Sequence, residues 1–269
     1  MAMYGAMRLI IALAILLAPP VAAGPSDHET QLTVLSGWTT ASGSQMVGLQ
    51  IDMADGWKTY WRAPGDAGIP PQVSWVGSQN IKGAAFHWPV PEVFYEGSAR
   101  SIGYSGSVTI PIEIFPASDG AMRLSGTLDI GVCDEICVPV TLDFDQSLPA
   151  SNTRDPAIVA ALVDRPATAS EAGISDVTCK VDPTPKGLRV TTQMVLPKSA
   201  AANAVIIETG DPAVWVSEPT TSRQGATLTA SADLVHVNGS GFALDRSAVR
   251  ITLLSERQAI DIIGCRAPS

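Results

Sequence analysis

Alternation of apolar and polar residues with a period of two runs through the first half of this 269-residue chain. Apolar residues occupy every second position from Val47 to Met53 and again from Val108 to Ile114, and the pattern continues through 122–132 and 138–144. Successive side chains of an extended strand point to opposite faces, so each segment predicts a strand with one buried face. Several such strands with glycine- and proline-containing turns between them predict a β-sandwich.

One proline interrupts this pattern. Pro111 lies within the alternating segment from Val108 to Ile114. Proline has no backbone N–H to donate to a neighbouring strand, and within sheets it is found mainly on edge strands. We therefore expect this strand at a sheet edge.

The pattern stops near residue 147 and resumes after residue 173. The segment 147–173 is rich in Ala, Ser, Thr, Pro and Asp, which is typical of a linker. It predicts one short helix, because Asp155 can cap, Pro156 suits the first helical position and Pro166 ends the helical spacing. The predicted organisation is all-β, with a sandwich at 24–146, a linker at 147–173 and a smaller sandwich at 174–269.

The first 23 residues predict a secretory signal peptide. Arg8 closes a short basic region, an apolar run follows from Leu9 to Ala18, and cleavage is expected after Ala23. No cysteine stands at that site to carry a lipid, and no later apolar stretch reaches the length of a membrane span. We expect an exported protein without a membrane anchor after cleavage, in a compartment where disulfides persist.

Charge and motifs exclude several function classes. The net charge of -9 gives no basic surface for nucleic acid or anionic lipid. The chain has three histidines, His28, His87 and His236, and none has the spacing of a catalytic triad or a metal site. No glycine-rich phosphate loop occurs. We expect no cofactor and no bound metal.

The four cysteines divide into two kinds, although their number alone permits three pairings. Cys179 shares the phase of the apolar residues Val177 and Val181, and Cys265 follows the last predicted strand. A bond between these two cysteines would join the first and last strands of the second sandwich. Closing so long a segment constrains the unfolded chain by about 4.6 kcal/mol, which predicts a structural disulfide.

Cys133 and Cys137 lie on the opposite phase, pointing away from the predicted core face. The tripeptide 134–136 separates them, and a tight hairpin would bring them within disulfide range. Closing this short ring contributes only about 2 kcal/mol, and a strained ring is easier to reduce. We therefore expect an exposed pair that carries out thiol–disulfide exchange. The acidic Asp134 and Glu135 disfavour the thiolate form, so the pair should depend on a docked partner.

Five motifs follow one another along the first half of the chain. They are Gly56–Trp61, Pro64–Gly68, Trp88–Pro91, Tyr104–Gly106 and Cys133–Pro139. In order and spacing they resemble the N-terminal periplasmic domain of the DsbD/ScsB family of thiol:disulfide interchange proteins, over residues 30–146.

The resemblance implies an immunoglobulin-like sandwich with Cys133 and Cys137 as the catalytic pair of a thiol:disulfide oxidoreductase. It implies a cap loop over this pair, for which Glu92–Gly97 is the counterpart, with Glu92, Tyr95 and the shielding residue Phe94 in it. Tyr60 would neighbour the site. An ordinary core aromatic is the alternative for Phe94.

The family also implies partners. It receives electrons from a membrane-embedded domain and passes them to periplasmic thioredoxin-like and other oxidised proteins. Three residues separate the cysteines here, as in the ScsB-like branch. Because this sequence ends at Ser269 without transmembrane or thioredoxin-like domains, we expect a membrane-embedded electron donor on a separate chain. We expect the protein itself in the periplasm. The direction of electron flow stays open.

Two other hypotheses compete with a redox role. The same two thiols could form a copper(I)-binding or copper-tolerance module, because thiolates are soft ligands. An adhesion module would use Trp57, Trp61 and Trp88, but a place in the core explains these tryptophans better.

Overall fold

The computed structural model describes residues 30–65, 68–97, 99–256 and 258–268. The predicted signal peptide, 1–23, lies outside the described residues. Within the described ranges, no helix is long and apolar enough to cross a membrane.

The strands up to residue 148 form two facing sheets. They are β1 (Gln31–Thr39), β2 (Gln45–Asp52), β3 (Lys58–Gly65), β4 (Gln72–Ser74), β5 (Ile81–Phe86), β6 (Glu92–Glu96), β7 (Ala99–Ser105), β8 (Ser107–Pro116), β9 (Met122–Cys133) and β10 (Cys137–Leu148). One sheet has the order β1-β2-β8-β5, and the other has the order β10-β9-β3-β7-β6 with β4 paired to β9. We call this unit the N-terminal sandwich. The alternating apolar residues predicted above, such as Leu49, Ile112 and Leu128, fill the space between the sheets.

The prediction that Pro111 marks an edge strand is wrong. Strand β8 pairs with β2 on one side and with β5 on the other. The carbonyl of Pro111 accepts a hydrogen bond from the His87 N–H at 2.9 Å, one residue beyond the end of β5. The N–H and C=O of one residue in an antiparallel strand point to the same neighbour. The missing donor therefore faces His87, just beyond the end of β5, so the proline removes only the last bond of this ladder.

The predicted short helix is present as α1 (Pro156–Val163). The Asp155 carboxylate accepts from the N–H of Ala157 at 2.8 Å, which caps the helix. Ile158 is fully buried, and an added Cβ on Gly48 would lie 2.9 Å from it. Because glycine leaves room for this side chain, the helix packs directly on the N-terminal sandwich.

The remaining strands form a second pair of sheets, which we call the C-terminal sandwich. They are β11 (Ala167–Thr168), β12 (Ser175–Thr184), β13 (Gly187–Val195), β14 (Ala204–Glu208), β15 (Val214–Val216), β16 (Thr220–Gln224), β17 (Thr227–His236), β18 (Arg250–Leu254) and β19 (Ala259–Ile263). The sheet orders are β11-β19-β18-β14 and β12-β13-β17-β15, with β16 also paired to β17. The prediction of an all-β protein with two immunoglobulin-like sandwiches is confirmed.

The two sandwiches share a buried interface. Ala204, Ile206 and Leu254 lie on the face of β14 and β18 that points away from their own core, and they cluster with Ile102 and Tyr104 of the N-terminal sandwich. Burial of apolar surface across this contact fixes the two units against each other.

Candidate functional site

The tip of the β9–β10 hairpin carries a disulfide between Cys133 and Cys137. The two residues face each other in the strand register, with their Cα atoms 4.1 Å apart. The Asp134 N–H donates to the Ile136 carbonyl at 3.1 Å and closes the turn between them. Pairing of β9 with β10 over their whole length therefore holds this bond in place.

The two sulfurs differ in their access to solvent. Cys137 is exposed, whereas Cys133 is only 1% exposed. The expectation that both cysteines are exposed is thus wrong for Cys133. Its side chain does lie on the side of β9 opposite the core residue Val132. Strand β3 runs alongside β9 there, with Lys58 paired to Cys133. From β3 the Tyr60 side chain reaches over the Cys133 sulfur and covers it.

Tyr60 makes the closest polar contact to the disulfide. Its hydroxyl oxygen lies 3.0 Å from Cys133 Sγ and 3.2 Å from Cys137 Sγ. Disulfide sulfurs carry no hydrogen, so the hydroxyl is the donor in both contacts. Tyr60 itself is 6% exposed, and a hydrogen bond shielded from water in this way is stronger than one at the surface.

A glycine makes room for this tyrosine. An added Cβ on Gly131 would lie 3.0 Å from Tyr60 Cε2 and 3.2 Å from the Cβ of Ile69. The Tyr60 ring therefore lies across β9 at Gly131, two residues from Cys133. Sequence reasoning missed Gly131 and Ile69, although a glycine inside a strand pattern often marks a close approach of this kind.

The segment expected to be a cap loop is a strand. Glu92–Glu96 forms β6, which pairs with β7 as a hairpin at the sheet edge. Phe94 is half-buried, and its ring centroid lies 5.1 Å from Lys58 Nζ. The Glu92 carboxylate accepts from Ser105 Oγ at 2.8 Å, while the Tyr95 side chain is 68% exposed. Phe94 thus reaches the site through Lys58, the register partner of Cys133.

The exposed surface around the disulfide is acidic and partly apolar. Asp134, Glu135 and Ile136 are all exposed, and Ile136 is 68% exposed. Nowhere in the described ranges do three or more His, Cys, Asp or Glu side chains group as they would around a metal ion.

The second disulfide lies within the C-terminal sandwich. Cys179 on β12 is fully buried and is bonded to Cys265, which follows β19. Cys179 N–H donates to the carbonyl of Arg266 at 2.8 Å, so backbone pairing and the covalent bond join the same two segments. This arrangement closes the sandwich from its first to its last long strand.

The three tryptophans considered for adhesion belong to the core. Trp61 is fully buried, and Trp57 and Trp88 pack against the same cluster. The Trp88 ring stacks on Phe86 at 5.6 Å between centroids. These positions agree with the preference for a core role.

Fold and site together define a class: an immunoglobulin-like sandwich with a disulfide at the tip of a β-hairpin. The comparisons with known proteins then show what the chain resembles. Residues 29–149, which contain the N-terminal sandwich, match the family described as "Thiol:disulfide interchange protein DsbD, N-terminal".

A solved structure resembles nearly the whole chain. It is the crystal structure of the N-terminal periplasmic domain of ScsB from Proteus mirabilis, with a TM-score of 0.64 and 22% sequence identity. The match covers 94% of this chain and 97% of that chain, so the likeness in fold includes both sandwiches. A search of curated protein sequences gave no match.

Proposed function

We propose that this protein is a periplasmic thiol:disulfide oxidoreductase that relays electrons through Cys133 and Cys137. The observation that supports this most strongly is the asymmetry of the disulfide. One sulfur is open to a partner, while the other is covered and contacts the Tyr60 hydroxyl. The disulfide sulfur attacked by a partner thiolate is then that of Cys137, and Cys133 is the leaving group.

The exchange proceeds in two steps. A partner thiolate attacks Cys137 Sγ, forms a mixed disulfide with it, and breaks the bond to Cys133, whose sulfur takes the electron pair. The O–H of Tyr60 stabilises this charge, because hydrogen bonds to ionised groups are stronger than those to neutral ones. A second thiolate of the partner then attacks the partner's sulfur in the mixed disulfide and releases Cys137. Solvent protonates the two thiolates, and the reverse sequence oxidises the pair.

The family description supports the partners that we propose. Interchange proteins pass electron pairs between cysteine pairs, so we propose a membrane-embedded electron donor and thioredoxin-like acceptors. Two disulfides in the described chain, and a fold shared with a domain described as periplasmic, support this location. Phe94 acts as the shield: from β6 it covers Lys58 beside Cys133 and would move aside when a partner docks.

A pair of single-cysteine variants tests the assignment. Cys133→Ser leaves the exposed Cys137, and Cys137→Ser leaves the covered Cys133 as its matched control. The probe is a thioredoxin-like protein whose single active-site cysteine is activated with 2-nitro-5-thiobenzoate. Cys133→Ser should attack that sulfur and release the dye at least ~10-fold faster than Cys137→Ser, because access controls exchange. Equal rates would contradict the asymmetric site.

Copper titration separates this function from the copper(I) hypothesis. A copper module predicts stoichiometric thiolate-to-copper absorbance when the reduced protein is titrated with Cu(I). For the exchange function we expect the activated probe to react while the copper titration gives no such absorbance.

A further inference from the structure

A groove of about 550 Å³ runs between the two sandwiches, close to the redox hairpin. Its lining comes from both units. Pro64, Gly68 and Pro70 form one wall, Trp215 and Val216 form the other, and Ile102 and Ile206 lie between them. We propose that this groove binds an extended apolar segment of the partner protein, adjacent in sequence to the cysteine that reacts with Cys137. This inference rests on the proposed function.

Ion pairs that each include a largely buried arginine hold the two walls together. Arg62 on β3 donates to the Glu208 carboxylate of β14 at 3.0 Å and to Thr252 Oγ1 at 3.1 Å. Burial lowers the pKa of Arg62, and the neighbouring Glu208 and Asp261 act in the opposite direction. A second pair joins Arg100 to Glu218 at 3.0 Å. The groove is therefore preorganised, and a ligand does not have to order it on binding.

The lining favours an apolar occupant. Both arginines of the lining, Arg62 and Arg100, are paired with glutamates across the groove, so they attract an acidic ligand only weakly. At the rim, Trp215 is 48% exposed and Val237 is 67% exposed. Large apolar side chains grouped at the mouth of a groove are typical of an interaction site. Tryptophan is also among the residues that contribute most to binding at interfaces.

The groove is continuous with the redox site. Gly68 lines the groove, and an added Cβ on it would lie 2.8 Å from Cδ1 of Tyr60. Ile69 beside it packs over Gly131, and the Tyr60 hydroxyl contacts both sulfurs. One tyrosine ring thus separates the groove wall from the disulfide. A protein that brings a thiolate to Cys137 must lay its neighbouring residues over this surface, which identifies the occupant as the segment flanking that cysteine.

The experiment compares two synthetic peptides as reductants of the oxidised full chain. Both contain one central cysteine, flanked on each side by leucine and phenylalanine in one peptide and by serine and glycine in the other. Stopped alkylation and mass analysis give the rate at which each peptide opens the Cys133–Cys137 bond. We expect the apolar peptide to react about 10-fold faster with the wild-type protein, because groove binding raises its local concentration.

Four variants locate the effect. Trp215→Ser and Val237→Ser alter the groove rim. Val195→Ser and Ile263→Ser are controls of matched exposure, 45% and 72%, outside the groove lining. The preference for the apolar peptide should fall to about 2- to 3-fold in Trp215→Ser, less so in Val237→Ser, and not at all in the controls. Reduction by dithiothreitol should be unchanged in all four.

The outcomes separate this inference from the proposed function. Equal rates for the two peptides on the wild-type protein would overturn the groove as a docking site, as would the same loss in the rim and control variants. If dithiothreitol and both peptides leave Cys133–Cys137 closed in the wild-type protein, the exchange function itself is wrong.

Discussion

The two disulfides of this protein differ in loop length and in their surroundings. Cys133–Cys137 closes a hairpin tip over four positions of sequence and leaves one sulfur in solvent. Cys179–Cys265 joins segments 86 positions apart, and the backbone bond from Cys179 to Arg266 ties the same segments together. The first bond adds little to strand pairing that exists without it. The second closes the C-terminal sandwich.

The charges around the two disulfides would favour reactivity at Cys179–Cys265 rather than at Cys133–Cys137. Asp134 and Glu135 lie between the two cysteines of the hairpin pair. Cys265, in contrast, directly precedes Arg266, and its N–H donates to the carbonyl of Arg246 at 3.0 Å. Cationic neighbours stabilise a thiolate and acidic ones destabilise it. If local charge decided reactivity, Cys179–Cys265 would be the redox bond. The proposed function therefore requires that access to a sulfur and to the Tyr60 hydroxyl outweighs local charge.

The largest expected difference is in the rate of reduction of the folded protein. Dithiothreitol should open Cys133–Cys137 at least ~10³-fold faster than Cys179–Cys265, because attack on the latter requires local opening that costs about 4 kcal/mol or more. Alkylation and mass analysis over a time course measure both rates in one sample. Comparable rates would remove the distinction between a redox bond and a structural bond.

The contributions of the two disulfides to the free energy of unfolding should have the reverse order, with Cys179–Cys265 contributing more. Replacing Cys179 and Cys265 together by alanine should lower the free energy of unfolding by about 4 to 5 kcal/mol. The same change at Cys133 and Cys137 should cost only about 2 kcal/mol, since the ring it opens is short. Urea unfolding of the two double variants, monitored by tryptophan fluorescence, makes the comparison. A larger loss for the hairpin pair would show that it has a structural role.

The structural features that could be predicted from the sequence are those determined by residues close to one another along the chain. Side-chain phase is local, so the strands, the helix cap at Asp155 and the placement of Cys133 on the outer face of its strand could all be inferred. The cover over Cys133 could not be inferred from phase, because Tyr60 lies 73 positions away and reaches the sulfur only through the pairing of β3 with β9. Only the family resemblance placed Tyr60 near the site. The contact of Arg62 with Glu208 could not be predicted for the same reason, because the two residues lie 146 positions apart.

The wrong predictions have the same origin. Pro111 was assigned to an edge strand because its missing donor is visible in sequence, whereas the end of β5 opposite it is not. The segment Glu92–Glu96 resembles a loop in the family pattern, but its pairing with β7 makes it a strand. In both cases the neighbouring strand, which the sequence does not show, determines the structure.

The next largest expected effect is the slower reduction of the hairpin disulfide when the Tyr60 hydroxyl is removed. Tyr60→Phe removes the donor to both sulfurs, and hydrogen bonds to charged groups contribute about 1.5 to 3 kcal/mol. We expect reduction of Cys133–Cys137 by dithiothreitol to slow by about 10- to 100-fold. The alkylation of reduced Cys133 should also shift to higher pH, a change that a loss of packing alone would not cause.

Tyr104→Phe is the matched control. Tyr104 is also 6% exposed, and its hydroxyl donates to the Pro89 carbonyl at 2.9 Å. Burial raises the pKa of Tyr104 well above its usual range, so it remains a neutral donor. This variant should lose about 1 kcal/mol of stability and keep the wild-type rate of reduction. Equal slowing in both variants would indicate a general effect of the lost hydroxyl on the fold.

The smallest effect should come from the charges at the hairpin tip, and it tests the comparison most directly. Two small thiols serve as probes, the cationic cysteamine and the anionic 2-mercaptoethanesulfonate, with each rate corrected for the fraction of thiolate. Exposed charges interact by about 0.3 to 1 kcal/mol, so cysteamine should reduce Cys133–Cys137 about 2- to 5-fold faster at low salt. At 1 M salt the preference should vanish, because the Debye length falls to about 3 Å.

The double variant Asp134→Asn with Glu135→Gln should abolish the preference for cysteamine at low salt, and should also speed reduction by the anionic thiol. Cys179–Cys265, opened in mild denaturant, should show no preference for the cation, since arginines flank it. A preference for the anionic thiol at the hairpin would mean that Lys58, and not the acidic pair, sets the local field.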